Sequence, residues 1–138
     1  MKTPKSETES FHQAALFKWR DTQVNRWPEL EWMHHIANGG SRGDDARSRA
    51  IRGAQMKAQG VKTGIPDVFL PVKRGAYSGL YIELKKPSLK PVRAYSKGGV
   101  TEEQAAFGKF AQTQGFLWTV CYSWEDAASV IVNYLAIV

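Results

Sequence analysis

The sequence is poor in cysteine and has no long apolar run. Its 138 residues include one cysteine, Cys121, so the chain cannot form an internal disulfide, and we expect it to work in a reducing cytoplasm. No apolar stretch reaches the roughly eighteen residues that a membrane span needs. The first ten residues, MKTPKSETES, lack the apolar segment of a secretory signal. We therefore expect no membrane association and no secretory leader.

Acidic residues are also scarce, and the imbalance is uneven. Nineteen Lys and Arg against thirteen Asp and Glu give a net charge of +6. Residues 42–62 hold six basic and two acidic residues, and residues 73–97 hold seven and one. With 43% hydrophobic residues, the composition is typical of one folded domain over residues 1–138. A local basic surface of this kind favours a polyanion partner, most often nucleic acid, although a merely solvated basic face has the same composition.

Periodicity and turn residues predict alternating helices and strands. The first helix starts near Glu9 and ends before Pro28, and a last helix is capped by Ser123. Between them we predict a strand over 30–37, a helix over 44–59 closed by Gly60, strands over 67–72 and 80–84, a basic loop over 86–99, a helix over 101–114 closed by Gly115, and a strand over 116–122. The order predicts an α/β fold, a mixed central sheet flanked by helices.

Two acidic residues occupy adjacent predicted strands, where a charge is costly unless it is paired or binds a metal. Asp67 begins the strand after GIP, and Glu83 lies in YIELKK. Antiparallel pairing would bring the two carboxylates together as an oxygen site suited to Mg²⁺. Lys85, two residues after Glu83, lies on the same face of its strand and can stabilise charge on a phosphate. The three residues together indicate a metal-dependent phosphodiesterase.

Each of these residues also has a structural explanation. Asp67 follows Pro66, and Pro-Asp is a common turn pair. Glu83 and Lys85 are able to form a salt bridge at an exposed strand edge. Taken singly, these explanations are the commoner ones, and only the combination in a basic chain favours a nuclease.

The sequence resembles the VRR-NUC (virus-type replication-repair nuclease) family of the PD-(D/E)XK nuclease superfamily. The matching segments cover nearly the whole chain: ESFHQAALFKW, HHIANGGSR, GVKTGIPDVFL, GLYIELKK, TEEQAAF and the closing strand and helix. One departure is HHIANGG, where a proline is expected before the asparagine. The resemblance implies an αβββαβ core and DNA cleavage that depends on Mg²⁺ or Mn²⁺, without an organic cofactor. It also implies a phage or prophage protein of the bacterial host cytoplasm, often a homodimer acting on branched DNA.

The resemblance assigns site residues by position. Those with catalytic roles are Glu9, Asp67, Glu83, Lys85 and Gln104. The metal ligands would be Asp67, Glu83 and the backbone carbonyl of Leu84, with Glu9 binding directly or through a water.

Other residues carry weaker expectations. Gln104 has two interpretations, because T-E-E-Q from Thr101 is also a helix capping box. The residues expected to contact DNA lie in the loop after the catalytic strand: Lys86, Lys90, Arg93 and Lys97. Three arginines of the second helix, Arg47, Arg49 and Arg52, either contact phosphates or form its solvated side. Rival functions are a non-catalytic DNA-binding subunit and a restriction-type endonuclease.

Overall fold

The computed structural model describes residues 8–37, 45–93 and 97–138. Within them the helices and strands are α1 (Glu9–Gln23), β1 (His34–His35), α2 (Ala46–Ala58), β2 (Val68–Leu70), β3 (Gly79–Leu84), α3 (Glu102–Thr113), β4 (Phe116–Cys121) and α4 (Trp124–Leu135). Two short 3₁₀ turns, Pro28–Trp32 and Pro87–Leu89, complete the regular structure. Among the described helices, none has the length and apolar character to cross a membrane.

The four strands form one mixed sheet in the order β1-β2-β3-β4. The first three pair antiparallel, whereas β3 and β4 are parallel and are connected through α3. This arrangement is the predicted αβββαβ core, with α2 inserted between β1 and β2 and α4 added after β4.

Local sequence signals set the ends of the helices. The residue before each helix accepts a hydrogen bond from a backbone N–H of the first turn, and these N-caps are Thr8, Asp45, Thr101 and Ser123. Gly60 and Gly115 follow α2 and α3 with φ of +96° and +87°, a conformation that other residues avoid. The predicted helices are therefore confirmed to within a few residues, except that the predicted start of the second, Asp44, lies outside the described residues.

The predicted strand over 30–37 is wrong in its first half. Residues Pro28–Trp32 form a 3₁₀ turn, and the strand that follows has only two residues. The cause is a long-range contact. The Arg20 guanidinium on α1 donates to the carbonyls of Leu30 and Met33, at 3.3 and 2.8 Å, so these groups are not available to a sheet.

The two faces of the sheet have different partners. One face carries the main core, in which apolar residues of β2 and β3 pack with α1 and α4; its fully buried members include Leu16, Val68, Leu70, Leu80, Ile82 and Ile131. The other face is covered by α3. Tyr81 of β3 contacts Phe107 edge-on, and Gly108 lies against the indole of Trp118. Alternate residues of β3, including Glu83, therefore point toward α3.

We expect Gly108→Ala to destabilise the fold. A Cβ at this buried glycine would overlap the ring of Trp118, so α3 would have to move away from the sheet. Overpacking of this kind costs about 1–3 kcal/mol, which outweighs the roughly 1 kcal/mol gain in helix propensity. Urea denaturation measures the difference.

The matched control is Gly53→Ala in α2, where a Cβ meets nothing within 4 Å. This variant should be as stable as the wild type or slightly more so. Equal stability of the two variants would show that α3 does not depend on this close approach.

Candidate active site

The strand register brings Asp67 and Glu83 to the same place. Phe69 pairs with Tyr81 in the antiparallel β2–β3 ladder, so the positions two residues further along, 67 and 83, also face each other. Asp67 lies just before β2, and its Oδ2 accepts a hydrogen bond from the Leu84 N–H at 2.8 Å. Its carboxylate therefore reaches across to β3 instead of closing a local turn.

Glu83 is the more buried of the two acids, with 2% of its surface exposed. Its Oε1 accepts a hydrogen bond from the Gln104 amide at 2.9 Å and lies 3.5 Å from the Lys85 ammonium. Its Oε2 is buried without a hydrogen-bond partner among the described residues. Burial, and then the Asp67 charge, raise the pKa of Glu83 to about 8, against the opposing effect of Lys85.

Lys85 shares this interior position. It has 7% of its surface exposed, directly beyond the end of β3. The expected alternative, a salt bridge at an exposed strand edge, does not match this burial. A buried pair of this kind is a poor source of stability, because desolvation of both charges offsets their attraction. Such an arrangement is more typical of a functional site than of a structural bridge.

The carbonyl of Leu84 points toward Asp67. The next amide, that of Lys85, donates to the carbonyl of Cys121 on the β4 side of the strand, at 2.8 Å. In a trans peptide the carbonyl and the following N–H point in opposite directions, so the Leu84 oxygen is directed to the β2 side. This is the side on which the Leu84 N–H already bonds to Asp67.

Glu9 approaches the pair from α1. It is the first residue of that helix and is exposed to solvent on one side. Partial burial raises the pKa of its carboxyl, and the neighbouring charges of Lys85, Asp67 and Lys86 also act on it. The structure therefore brings together all five residues to which the resemblance assigns catalytic roles.

Gln104 caps α3 and also contacts the site. The side-chain Oε1 of Gln104 accepts from the Thr101 N–H at 2.9 Å. The backbone N–H of Gln104 donates to the Thr101 hydroxyl, which completes the capping box. The same side chain donates from Nε2 to Glu83. Because the cap fixes which end of the amide is the oxygen, it also fixes a donor toward the carboxylate.

The basic loop starts at the site and returns to it. Lys86 is half-buried and lies near Glu9, whereas Lys90, Arg93 and Lys97 are exposed. The Tyr122 hydroxyl donates to the carbonyl of Gly98 at 3.1 Å, so the end of the loop is held beside the end of β4. Contact of these residues with DNA stays a prediction.

One residue that orients the site was missed from the sequence. His12, one turn after Glu9, is buried, and its Nδ1 accepts from the Trp124 N–H at 3.0 Å. This bond joins α1 to the start of α4 and so helps to hold the first turn of α1 in place. A single histidine in an amphipathic helix gives no signal for such a contact.

The donor set fits a divalent cation that keeps part of its water. Within the described residues, no three His, Cys, Asp or Glu side chains lie close enough to hold a metal by themselves. Mg²⁺ does not need such a cage, because it commonly binds through one or two carboxylates with waters and phosphate oxygens. The unpaired Glu83 Oε2, the Asp67 carboxylate and the Leu84 carbonyl supply oxygens of the right kind.

Comparison with known proteins agrees with this geometry. The model of the VRR-NUC domain family matches residues 7–125, and the chain belongs to this family. A solved structure described as a VRR_NUC domain protein is 26% identical over 95% of this chain and 90% of its own, with a TM-score of 0.71. A search of curated proteins finds no match.

We predict that Glu83 makes stability fall with pH when metal is absent. Its pKa is raised from 4.5 to about 8, so the folded state holds a proton that the unfolded state releases. The wild type should therefore lose stability as pH rises from about 4.5 through about 8, by an amount on the order of a few kcal/mol. Glu83→Gln, which stays neutral, should not show this loss. Urea denaturation in EDTA across this pH range measures both.

The control is Glu31→Gln, at an exposed position of the 3₁₀ turn, which should follow the wild-type curve. Parallel curves for wild type and Glu83→Gln would contradict the prediction.

A second prediction separates the two bonds of Gln104. Gln104→Glu keeps an acceptor for the Thr101 N–H but loses the donor to Glu83 and adds a charge beside it. We expect the pH-dependent loss of stability to become steeper, while α3 remains folded by circular dichroism. Thr101→Ser preserves the cap and should behave as wild type. A Gln104→Glu protein with an unchanged pH dependence would show that the amide matters to the cap alone.

Proposed function

We propose that this VRR-NUC chain is an endonuclease that hydrolyses DNA phosphodiester bonds with Mg²⁺ or Mn²⁺. The observation that carries the proposal is the buried Glu83 carboxylate, which has one oxygen held by Gln104 and Lys85 and the other without a partner. Such an oxygen is costly in a merely structural role. A cation beside Asp67 removes that cost.

In this proposal Asp67, Glu83 and the Leu84 carbonyl would hold the cation, and Glu9 would bind one of its waters. A bound Mg²⁺ supplies Lewis-acid polarisation of the phosphate and a more acidic water. Gln104 holds one oxygen of Glu83 and leaves the other for the cation. The Leu84 N–H does the same for Asp67.

Lys85 acts on the substrate in this proposal. Its ammonium is held in the interior beside Glu83 and does not move freely in solvent. From that position it orients the attacking water or stabilises the negative charge that grows on the phosphate. Fixed positive charge in a site shielded from water is among the larger contributions to catalysis.

Branched DNA and a homodimer complete the proposal. Their support is the resemblance to stand-alone members of the family and an apolar surface groove beside α1. The groove is lined by Phe11, Ala14, Ala15, Lys18, Trp19, Thr22 and Trp124. Light scattering that gives the mass of one chain at working concentrations would remove the dimer from the proposal.

The direct test is cleavage of duplex, flapped and four-way-junction DNA in Mg²⁺, Mn²⁺ or EDTA. We expect Asp67→Asn and Glu83→Gln to abolish cleavage while DNA binding is kept or tightened, because each removes a negative charge near phosphate. Lys85→Met should slow single-turnover cleavage about a hundredfold or more. Glu31→Gln is the control and should cleave normally.

Cleavage that persists in EDTA or in either acid variant would exclude the metal mechanism. Binding without cleavage by the wild type under every condition would instead identify a DNA-binding subunit.

A further inference from the structure

Helix α2 is unlike the other helices, because it contributes nothing to the core. None of its thirteen residues is buried, whereas α1, α3 and α4 each bury at least two. Its half-buried residues include Gly53 and Met56, which line a hollow with residues 60–63, the segment that follows the helix itself. A helix of this length is marginally stable in water without a packed face.

The positive charge on α2 and on the segment after it makes an unpacked helix still less stable. Residues 46–62 carry five basic residues and no acidic one, which is a net +5 in a chain of net +6. Arg49 and Arg52 are three residues apart and so lie on the same side of the helix, where like charges repel. Within the described part of the chain, none of the five basic residues forms an ion pair.

The chain after α2 leads directly to the candidate site. Gly64 has φ of +88°, and a Cβ there would lie 2.8 Å from the backbone of Glu103. This close contact holds the segment against the first turn of α3, one residue from Gln104. Asp67 follows three residues later. A short segment anchored beside Gln104 therefore joins the end of α2 to Asp67.

We propose that α2 binds the phosphate backbone of the DNA on one side of the cleaved bond. Phosphates would neutralise the arginines and supply the contact that the helix lacks within the chain. This inference rests on the proposed function, since it names a second surface for the same substrate.

A polyanion fits α2 better than a second copy of the chain does. Two α2 helices brought together would place like charges against each other, and the centres of protein interfaces are depleted in charge. Phosphate contacts, by contrast, depend on arginine and lysine and need no apolar face. All three arginines are exposed, so the earlier alternative, that they form only the solvated side of this helix, is the result expected if the test below fails.

The test is a triple variant, Arg47→Gln, Arg49→Gln and Arg52→Gln. Glutamine has nearly the helix propensity of arginine, so α2 should be kept. The matched control is Arg26→Gln, Lys73→Gln and Lys109→Gln, which removes the same charge from exposed positions after α1, in the β2–β3 loop and on α3. Fluorescence anisotropy with a labelled duplex in EDTA gives Kd over a range of NaCl concentrations. Circular dichroism checks the helix content of both variants.

We expect the α2 variant to weaken binding by about tenfold or more. We also expect it to lower the slope of log Kd against log salt by about 0.9 for each lost phosphate contact. The control should change both quantities much less. Equal losses in the two variants would mean that net charge alone matters, and an unchanged Kd in the α2 variant would also overturn the inference. A changed molar mass in light scattering with normal DNA binding would assign α2 to a protein contact instead.

The outcome is separable from that of the proposed function. A wild type that binds DNA through α2 but never cleaves it would overturn the nuclease activity and leave the binding surface. A wild type that cleaves DNA while the α2 variant binds normally would do the reverse.

Discussion

The arrangement of the candidate site depends on one carboxylate that is buried away from water, that of Glu83. Glu83 is placed in the interior by β3, the strand that supplies Leu80, Ile82 and Leu84 to the main core, so its charge has to be met by other groups. Two groups do so, Lys85 just beyond the end of the same strand and the Gln104 amide of α3. A third neighbour, Asp67, lies just before β2. Asp67 carries charge of the same sign as Glu83. Its charge raises the pKa of Glu83 further, a cost that a purely structural role does not explain.

The site lies where the alternating side chains of β3 meet the face of α3 that packs on the sheet. Residues of β3 alternate between the faces of the sheet, which sends Leu84 into the main core and Glu83 toward α3. Helix α3 returns to the sheet every three or four residues, through Gln104, Phe107 and Gly108. The first of these contacts meets Glu83, and the next ones meet the aromatic rings beyond it. A shift of one residue in α3 would put Glu103 or Ala105 in the place of Gln104 and remove the amide donor to Glu83, so the packing of α3 and the geometry of the site cannot vary independently.

Much of this was predictable because the signals are local. The helix caps, the closing glycines and the acid pair on facing strands are all short-range patterns, and the structure contains them. The failures have long-range causes. The 3₁₀ turn before β1 depends on the guanidinium of Arg20, ten and thirteen residues away in the chain. The contact of His12 with the start of α4 spans 112 residues. For Gln104 the sequence offered two competing roles, and only the placement of α3 on the sheet shows that one amide has the atoms for both. The roles of the site residues in cleavage stay predictions.

The sheet has two very different edges. At one edge, β1 is two residues long and carries exposed histidines, so it offers little backbone to another chain. At the other edge, within the described residues, β4 pairs only with β3 and reads FLWTVC, six residues without a charge or a proline. Segments of this composition are prone to pair with copies of themselves when they are uncovered. If α3 or α4 detaches during partial unfolding, β4 is therefore the place where this protein would begin to aggregate.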